Sequence, residues 1–557
     1  MKLKYVLYMA AALSLTGCND SFLERCPQNL NDQSFWVSVD DLKAYANAFY
    51  GLIPGGVSVL DDTDSDIQVP NNINSFLWGQ YVVPTEGGVW QKSSWQNIRN
   101  INYFMTHYQS VQAAEADVNI YVAEMRFFRA LEYFNKIQLL GDVPWLEVDL
   151  NVDSEELYGP KMKRNQVFQK IIEDLDFAIQ WLPEAGSEEA NRLNKDIARH
   201  VKARFCLNEG THYKYHDELE YASEAEKWLQ MAATESDKLI TSGRYEIYNT
   251  GHPQEDYFNM YRIDDKSDLK EAVLYVDYKT NIREHNMAAA GREAGCGFSK
   301  SFVESFLCSD GLPISLSNKY LGDETMRKET ANRDPRLKQL ILTNDFPTNV
   351  TDDLKDSTFV VNEDEFITQH CFTGYRPIKG FNPIYSQALY MKSSFDGIAY
   401  RYAETLLINA EAKAELNTIT NADLDRTVNQ LRDRVGMPHL TVNVGFTDPK
   451  WPDWGYSLSP VLQEIRRERC IELAGEGFRF NDLKRWKAGK LLNNVLTYVG
   501  KRKPDGNLAI VYPNYTNPDL SYQAGKSRTW EDKMYLYPIP TGELQRNPQL
   551  LPQNPGW

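Results

Sequence analysis

Residues 71–91 combine the two kinds of side chain that a sugar-binding surface needs. Large aromatic rings can stack on the C–H face of a pyranose, and amide groups can bind its hydroxyl groups. Glycines between them permit close approach of the backbone to a ligand. The segment therefore predicts a ligand-binding loop, whose contact residues are expected to be Asn74, Trp78, Gln80, Tyr81 and Trp90.

Trp78 is the residue on which this prediction depends most. The change Trp78→Ala is expected to abolish ligand binding and to leave the fold intact. A structural interpretation competes for Trp90 and Trp95, because both can cap the following helix against the core. That interpretation is favoured for Trp95, which lies on the apolar stripe of the helix.

Two other segments could contribute to a ligand site. Residues 286–298 add Arg292 and Phe298 to the predicted binding residues, because a resemblance to a known family implies that loops of this region face the same site, although the segment contains no tryptophan. The segment 448–455 carries two tryptophans, Trp451 and Trp454, which could contact a ligand or cover the surface. Both interpretations stay open for this third segment.

An acidic turn early in the chain has the spacing that begins a calcium loop. Asp62, Asp64 and Asp66 follow that spacing, but Ile67 replaces the turn glycine and Ile73 stands where the bidentate glutamate belongs. A hydrated acidic turn is the favoured interpretation, and calcium binding stays open.

No complete catalytic or cofactor motif of the common kinds is present. His212 and His216 are one helical turn apart, but no general-base glutamate lies between them. The serine-centred hydrolase motif and the glycine-rich phosphate-binding motifs are also absent. We expect a protein that is not an enzyme, with no cofactor and no metal site.

Helices must position these segments, because apolar residues recur every three to four positions through the first half of the chain. Glycine and proline end several of the patterns, for example Gly141, Pro183 and Gly243. Small residues among large ones suggest stacked helical hairpins, for which the tetratricopeptide repeat is the natural candidate, although its consensus is not met. The helices predicted in this half are residues 40–51, 95–105, 122–140, 167–182 and 228–239, and a further helix is predicted to start over residues 197–205.

The helical pattern weakens in the middle of the chain, where Gly, Pro, Asn and Asp separate short β-prone runs. The β-prone runs are 272–276 and 358–361, and later helices are predicted at 398–414, 424–434 and 460–473. We expect one domain at 33–557, with a mainly helical scaffold at 33–250 and 397–490 and loop-rich parts at 251–396 and 491–557.

Residues 1–17 have the pattern of an export signal, in which lysines precede an apolar run and small residues precede Cys18. The pattern resembles a bacterial lipobox, in which Cys18 becomes the lipidated N-terminus and residues 18–32 form a tether. An ordinary secretory signal with an incidental cysteine is the alternative. No later stretch approaches the ~18 uninterrupted apolar residues of a membrane span, so membrane contact is expected through the lipid anchor only.

The composition excludes some partners and leaves others open. The 557 residues include 77 acids and 60 bases, a formal charge of −17, which argues against nucleic acid and anionic lipid surfaces as partners. The 32 Tyr, 24 Phe and 12 Trp exceed what the core needs, so some rings are expected to face a ligand.

The cysteines after Cys18 are widely spaced without a C-x-x-C motif. They are therefore interpreted as buried thiols, with any pairing left open.

Several strings of the sequence resemble the SusD/RagB family of outer-membrane nutrient-binding lipoproteins. The longest is LQEIRRERCIELAGEGFRFNDLKRW, which runs from Leu462 to Trp486. Together the strings span the mature chain in the family order. The shorter ones are AEMRFFRA at 123–130, GDVP at 141–144, DGLP at 310–313, RDPR at 333–336, RYAETLL at 401–407 and YPIP at 537–540.

The resemblance implies a mostly α-helical SusD-like fold, in which four tetratricopeptide-like helix pairs scaffold a loop-rich remainder with short β segments. It also implies a lipid-anchored protein on the cell surface that captures oligosaccharides beside a SusC-like TonB-dependent transporter. Within the signature, Glu468 and Glu472 alternate with arginines at helical spacing, which predicts structural ion-pair networks rather than a catalytic acid/base pair.

Three other functions remain to be distinguished from oligosaccharide capture. A member of the same family could bind peptides or glycopeptides. A helical glycoside hydrolase would require two opposed carboxyl groups about 5–10 Å apart in a deep cleft. A purely structural subunit of a transporter complex would leave the loop at residues 78–90 without a ligand.

Overall fold

The computed structural model describes residues 35–557, apart from 57, 59–60, 72–73, 152, 190, 290–294, 349–356 and 511–527. The predicted export signal, Cys18, the tether and Arg292 lie outside the described residues. Helices dominate the regular structure, and the strands are short and paired two by two. The predicted mostly α fold with short β segments is therefore confirmed.

The helices alternate with loops and short 3₁₀ turns along the chain. In chain order they are α1 Val39–Asn47, α2 Gln96–His107, α3 Glu115–Leu140, α4 Arg164–Trp181, α5 Lys195–Tyr215, α6 Ala225–Ser242, α7 Asp256–Tyr261, α8 Lys300–Ser305, α9 Met326–Thr330, α10 Arg336–Leu340, α11 Tyr402–Glu415, α12 Asn421–Asp425, α13 Val428–Arg434, α14 Pro460–Glu472, α15 Arg479–Arg485 and α16 Thr541–Arg546.

The ends of the long helices follow from their sequence. Helix α5 begins after Asn194, whose side-chain oxygen accepts the backbone N–H groups of Asp196 and Ile197, both at 3.0 Å. Helix α6 ends at Gly243, which has the left-handed φ of 66° that favours glycine. The helices predicted from the first half of the sequence are all present, but α3 begins at Glu115, before the expected residue 122, and α5 extends to Tyr215.

The long helices pack as a continuous stack. Helices α1 and α2 contact α3, and the stack continues through α4, α5, α6 and α11 to α14. Three buried alanines, Ala410, Ala412 and Ala414, leave room around α11 for its neighbours. The main apolar core runs along this stack and supports the loops that follow each helix pair.

The strands form four antiparallel pairs, β1 with β3, β2 with β6, β4 with β5 and β7 with β8. Their bounds are β1 Gln68–Pro70, β2 Ala272–Val276, β3 Cys296–Phe298, β4 Asp345–Thr348, β5 Ser357–Val360, β6 Gly397–Arg401, β7 Val499–Arg502 and β8 Leu508–Ile510.

Two helical predictions in the second half need correction. Ile398 was expected in a helix but lies in β6 opposite Tyr275 of β2, and the helix begins only at Tyr402. The predicted helix at 424–434 is two helices, because Thr427 has φ −129° and ψ −97° and interrupts the helical backbone. The pairing of Ile398 with a distant strand is a contact that the local pattern does not reveal.

The charged residues of the signature helix α14 form a buried ion-pair network, as predicted. Glu468 pairs with Arg336 at 2.5 Å and with Arg432 at 3.0 Å, and Glu472 pairs with Arg434 at 2.6 Å. These groups are nearly inaccessible to solvent. The network connects α14 to α10 and α13, so its role is structural.

The described cysteines are free thiols, which confirms the interpretation from spacing. Cys206, Cys296, Cys308 and Cys371 are buried, and Cys470 is half-buried. Cys26 lies outside the described residues. Burial raises the pKa of the Cys470 thiol to about 12, so the neutral thiol is its form at neutral pH.

Candidate functional site

The β1–β3 pair joins the first two segments that were predicted to bind a ligand. Pro70 of β1 is paired with Cys296 of β3, and the backbone N–H of Asn71 donates to the carbonyl of Gly295 at 2.8 Å. The start of the 71–91 loop therefore lies beside the end of the 286–298 segment, although the two are distant in sequence.

Phe298 is a core residue, which corrects its prediction as a ligand contact. Its side chain is 0% exposed and packs on Phe302, with ring centroids 4.7 Å apart. Strand pairing on one side and helix α8 on the other enclose the ring. No face of Phe298 is left for a ligand, so we remove it from the site.

Trp78 lies in an aromatic cluster near the C-terminal part of the chain. The residue is 8% exposed, and its ring meets Tyr498 edge-on at 5.6 Å between centroids. Tyr81 lies at the rim of this cluster, 5.4 Å from the Phe76 ring. The buried members of the cluster are Val69, Phe76, Leu77, Trp78, Trp454, Leu483, Trp486, Ala488, Leu492, Trp530, Met534 and Tyr535.

The other predicted residues of the first loop have different environments. Asn74 stabilises the turn, because its side-chain oxygen accepts the backbone N–H groups of Phe76 at 2.9 Å and Leu77 at 3.2 Å. Gln80 is exposed. Trp90 is half-buried against Trp95, with ring centroids 5.1 Å apart, and both pack on the main core. Gln80 and Trp90 thus retain surface that a ligand could contact.

The third predicted segment lines the concave part of this region. An open cleft of about 600 Å³, called the tryptophan cleft below, is bordered by the 448–455 loop, by α14 and by the residues after α15. Trp451 is half-buried at its wall, and Trp454 is 6% exposed and belongs to the same aromatic cluster as Trp78. Asp66 and Ile67, which immediately precede β1, also line the cleft, whereas none of the described residues of 71–91 or 286–298 does.

Helix α14 holds both indoles of the cleft. The ring N–H of Trp451 donates to Glu464 at 2.7 Å, and that of Trp454 donates to Gln463 at 2.6 Å. The loop itself is closed by Gly455, whose φ of 83° favours glycine and whose N–H donates to Asp453 at 3.0 Å. The rings therefore have fixed orientations before any ligand binds, which reduces the entropy cost of binding.

Charged side chains surround the indoles of the cleft. Four carboxylates and six cations line it, and three carboxylates are ion-paired within the lining: Asp66 with Arg479 at 2.7 Å, Asp448 with Arg467 at 2.5 Å and Glu304 with Lys450 at 2.9 Å. The lining charges are Lys450, Arg466, Arg467, Arg479, Lys487, Lys490, Asp66, Glu304, Asp448 and Asp453. An aromatic wall with charged groups around it suits a polar ligand that has an apolar face.

The acidic turn proposed as the start of a calcium loop has protein partners. Asp62 accepts the backbone N–H groups of Gly475 at 2.6 Å and Arg479 at 3.1 Å, and Asp64 accepts the side-chain amide of Asn74. Burial raises the pKa of Asp62 to about 7 despite those N–H bonds. Among the residues that the structure describes, no three metal-ligating side chains come together.

The histidine pair is also engaged by protein groups. His216 is buried, with Nε2 2.8 Å from the carbonyl oxygen of Lys484 and Nδ1 2.9 Å from the carboxylate of Glu218. His212 stacks beside it, with ring centroids 4.0 Å apart. Burial, followed by the charge of Arg164, lowers the pKa of His212 well below its usual value.

Sequence reasoning did not find the polar residues of the cleft. Gln463 and Glu464 lie on the predicted α14, but no local pattern indicates that their side chains accept indole N–H groups across the loop. Lys490 follows α15 at the end of the segment 397–490, which was expected to be mainly helical scaffold and was not predicted to contact a ligand. The signal that was available is the sequence Trp-Pro-Asp-Trp-Gly at 451–455, which places two large rings in a tight turn between helices.

Comparisons with known proteins agree with this architecture. The model of the SusD family matches residues 242–557, which is more than half of the chain. SusD-like protein P2 of Formosa agariphila is 24% identical, and the alignment covers 100% of both chains.

Solved structures have the same fold. A SusD-like protein from Bacteroides fragilis superimposes with a TM-score of 0.72 at 24% identity, covering 95% of this chain and 99% of that chain. A SusD-like carbohydrate binding protein from Bacteroides fragilis superimposes with a TM-score of 0.68 at 21% identity, covering 93% and 100%. Within the described residues, no helix combines the length and apolar character needed to cross a membrane.

Proposed function

The chain belongs to the SusD family, and from this premise we propose that it is a cell-surface lipoprotein that binds oligosaccharides and delivers them to a SusC-like TonB-dependent transporter. The mature protein would begin at a lipidated Cys18, followed by a tether at 18–32 and one domain at 33–557. A solved structure of the same fold carries the name of a carbohydrate binding protein.

The tryptophan cleft is the observation that carries the proposal of glycan binding. The half-buried Trp451 offers an indole whose N–H is already bonded to Glu464, so its remaining surface is available for an apolar sugar face. Gln80 and Trp90, which the sequence also predicted, do not line the cleft and would contact only a ligand long enough to extend beyond it. Trp78 supports this site indirectly, because it belongs to the same buried cluster as Trp454, which lines the cleft.

We propose binding without chemistry. Three of the four carboxylates in the cleft are committed to ion pairs with lining cations, whereas a glycoside hydrolase needs one carboxyl group that donates a proton to the leaving oxygen. Asp453 is the carboxylate of the lining that accepts only a backbone N–H, and it is exposed. Release of products from a bound glycan would contradict this part of the proposal.

Replacing Trp451 by Ala is expected to weaken glycan binding by roughly thirtyfold, because a stacked indole in a cleft is worth about 2 kcal/mol. Residues 19–557 would be tested against a glycan panel by affinity electrophoresis, and positive ligands would be measured by calorimetry. The control is Tyr158→Ala, because Tyr158 is 51% exposed and does not line the cleft. Binding of peptides without any glycan would instead support the peptide-binding alternative.

A cluster of exposed apolar residues supports the proposal of a transporter partner. Two loops, residues 279–286 and 385–393, are joined by paired backbone hydrogen bonds between His285 and Ser393 at 2.8 and 3.1 Å. Exposed tyrosine and methionine side chains of this kind are enriched at protein interfaces. The exposed side chains of this two-loop ridge are Ile282 (77%), Tyr385 (57%), Leu389 (38%), Tyr390 (77%) and Met391 (45%).

The double change Ile282→Ser and Tyr390→Ser is expected to reduce recovery of the transporter with the tagged protein by roughly tenfold, because exposed apolar anchors dominate such contacts. The measurement is co-purification from membranes that contain both proteins. Tyr158→Ser serves as a control with one exposed tyrosine removed elsewhere. Unchanged co-purification with the double variant would exclude the ridge as the contact surface.

A further inference from the structure

The tryptophan cleft has a charge balance that differs from that of the whole chain. The full sequence has a formal charge of −17, whereas the side chains that line the cleft include six cations and four carboxylates. A local excess of cations in an acidic protein requires an explanation, because surface charge of one sign attracts ligands of the other.

The excess arises because some lining cations have their counter-ions elsewhere. Arg466 pairs with Glu415 at 2.9 Å, and Glu415 is buried behind the wall of the cleft. Lys487 pairs with Asp217 at 2.9 Å and with Glu218 at 2.6 Å, and neither carboxylate lines the cleft. The charges of both cations are therefore balanced from outside the lining, and the Arg466 side chain is only 1% exposed.

One of the described lining cations is left without a counter-ion. Lys490 is exposed at the rim and has no ion-pair or hydrogen-bond partner for its ammonium group within the described part of the chain. Arg467, by contrast, pairs with Asp448 at 2.5 Å and with Glu464 at 3.4 Å, and its unpartnered Nη1 is buried from solvent. Asp453 is the one carboxylate of the cleft lining that has no ion-pair partner among the described residues. It lies in the same turn as Trp454.

We propose that the cleft selects sugars that carry an anionic oxyacid group, either a carboxylate or a sulfate ester. This inference rests on the proposed glycan-binding function and names its substrate class. The pyranose ring stacks on Trp451, and its anionic group faces the ammonium group of Lys490. Indole and ammonium groups together recognise both the apolar face and the charge of one acidic sugar unit.

Matched pairs of oligosaccharides test this proposal directly. Oligogalacturonate would be compared with its methyl ester of the same length, which removes the negative charge and keeps the sugar rings. A sulfated carrageenan oligosaccharide would be compared with its desulfated form, so that the two pairs distinguish a carboxylate from a sulfate. We expect the charged member of at least one pair to bind roughly tenfold more tightly at low salt, with the difference shrinking at high ionic strength.

The variant Lys490→Gln then assigns the preference to the cleft. It is expected to weaken binding of the charged member by about threefold to tenfold and to leave the neutral member unchanged. Lys338→Gln is the matched control, because it changes the net charge equally at an exposed lysine outside the cleft. An equal loss in both lysine variants would show only a general charge effect and would contradict the proposal.

The outcomes separate this proposal from the function on which it rests. If neutral and charged members bind equally, or if neutral ones bind more tightly, the anionic preference is wrong and glycan binding stands. If no glycan binds at all, both are overturned. If the charged member binds better but Trp451→Ala does not affect it, the acidic sugar is bound elsewhere and the assignment to this cleft is wrong.

Discussion

Replacing Glu472 by Gln is expected to lower the free energy of unfolding by about 3–5 kcal/mol, which is the usual cost of removing one partner from a buried ion pair. Glu472 is 0% exposed and accepts hydrogen bonds from three arginines. Arg434 donates at 2.6 and 2.7 Å, Arg401 at 2.6 Å and Arg336 at 3.0 Å. The glutamine has nearly the same shape, but its NH₂ group would face guanidinium donors in place of an acceptor.

The pH dependence of this effect follows from the pKa of Glu472. Burial alone would raise the pKa, but the charges of Arg434, Arg401 and Arg336 outweigh it and lower the pKa below the usual value of 4.5. A carboxylate with a lowered folded pKa contributes stability that is fully present above its unfolded pKa and lost as the pH falls. The difference between wild type and Glu472→Gln should therefore be constant at neutral pH and narrow below pH 4.5.

Urea unfolding followed by circular dichroism would measure the Glu472→Gln effect. The control is Glu226→Gln, because Glu226 is exposed in the first turn of α6 and a surface change of this kind is usually within about 0.5 kcal/mol. If both variants unfold at the same denaturant concentration, the network does not stabilise the fold and another role must be sought for it.

The fold was largely predictable because helical periodicity is a local signal. Helix α14 lies where its apolar stripe and end signals placed it, and α3 ends at the expected residue although it begins earlier than the stripe indicates. Ile398 shows the limit of that signal. Its neighbours Ala399 and Ala403 fit a helical stripe equally well, yet pairing with β2 holds Ile398 in a strand. A local sequence pattern does not predict that a strand pairs with another strand more than a hundred residues away.

The residue types of the proposed site could be predicted from the sequence, but the exposure and positions of their side chains could not. The sequence identified loops rich in tryptophan and amide groups, but residue type alone does not tell whether a ring faces solvent. Trp78 and Trp451 have the same chemistry and similar loop contexts, and the structure buries the first and leaves the second half-exposed. The difference arises from segments far along the chain, such as Tyr498, that cover Trp78.

Replacing Trp78 by Ala is therefore expected to destabilise the protein by about 3–5 kcal/mol, in contrast to the expectation from sequence that the fold stays intact. The ring lies in the cluster that includes Trp454 and Trp486, and its removal leaves a cavity among large side chains that cannot collapse easily. Trp78→Phe keeps part of the volume and should lose less. Thermal unfolding of the three proteins would measure this order of stability.

The Trp78 and Trp451 variants together distinguish two ways of losing a ligand. Trp451→Ala removes a contact and should change affinity with little change in the unfolding midpoint. Trp78→Ala should lower the midpoint, and its affinity should fall only through displacement of Trp454 in the wall of the cleft. If Trp78→Ala retains the wild-type unfolding midpoint but loses binding, the Trp78 ring contacts the ligand directly. The binding site must then extend from the tryptophan cleft into the aromatic cluster.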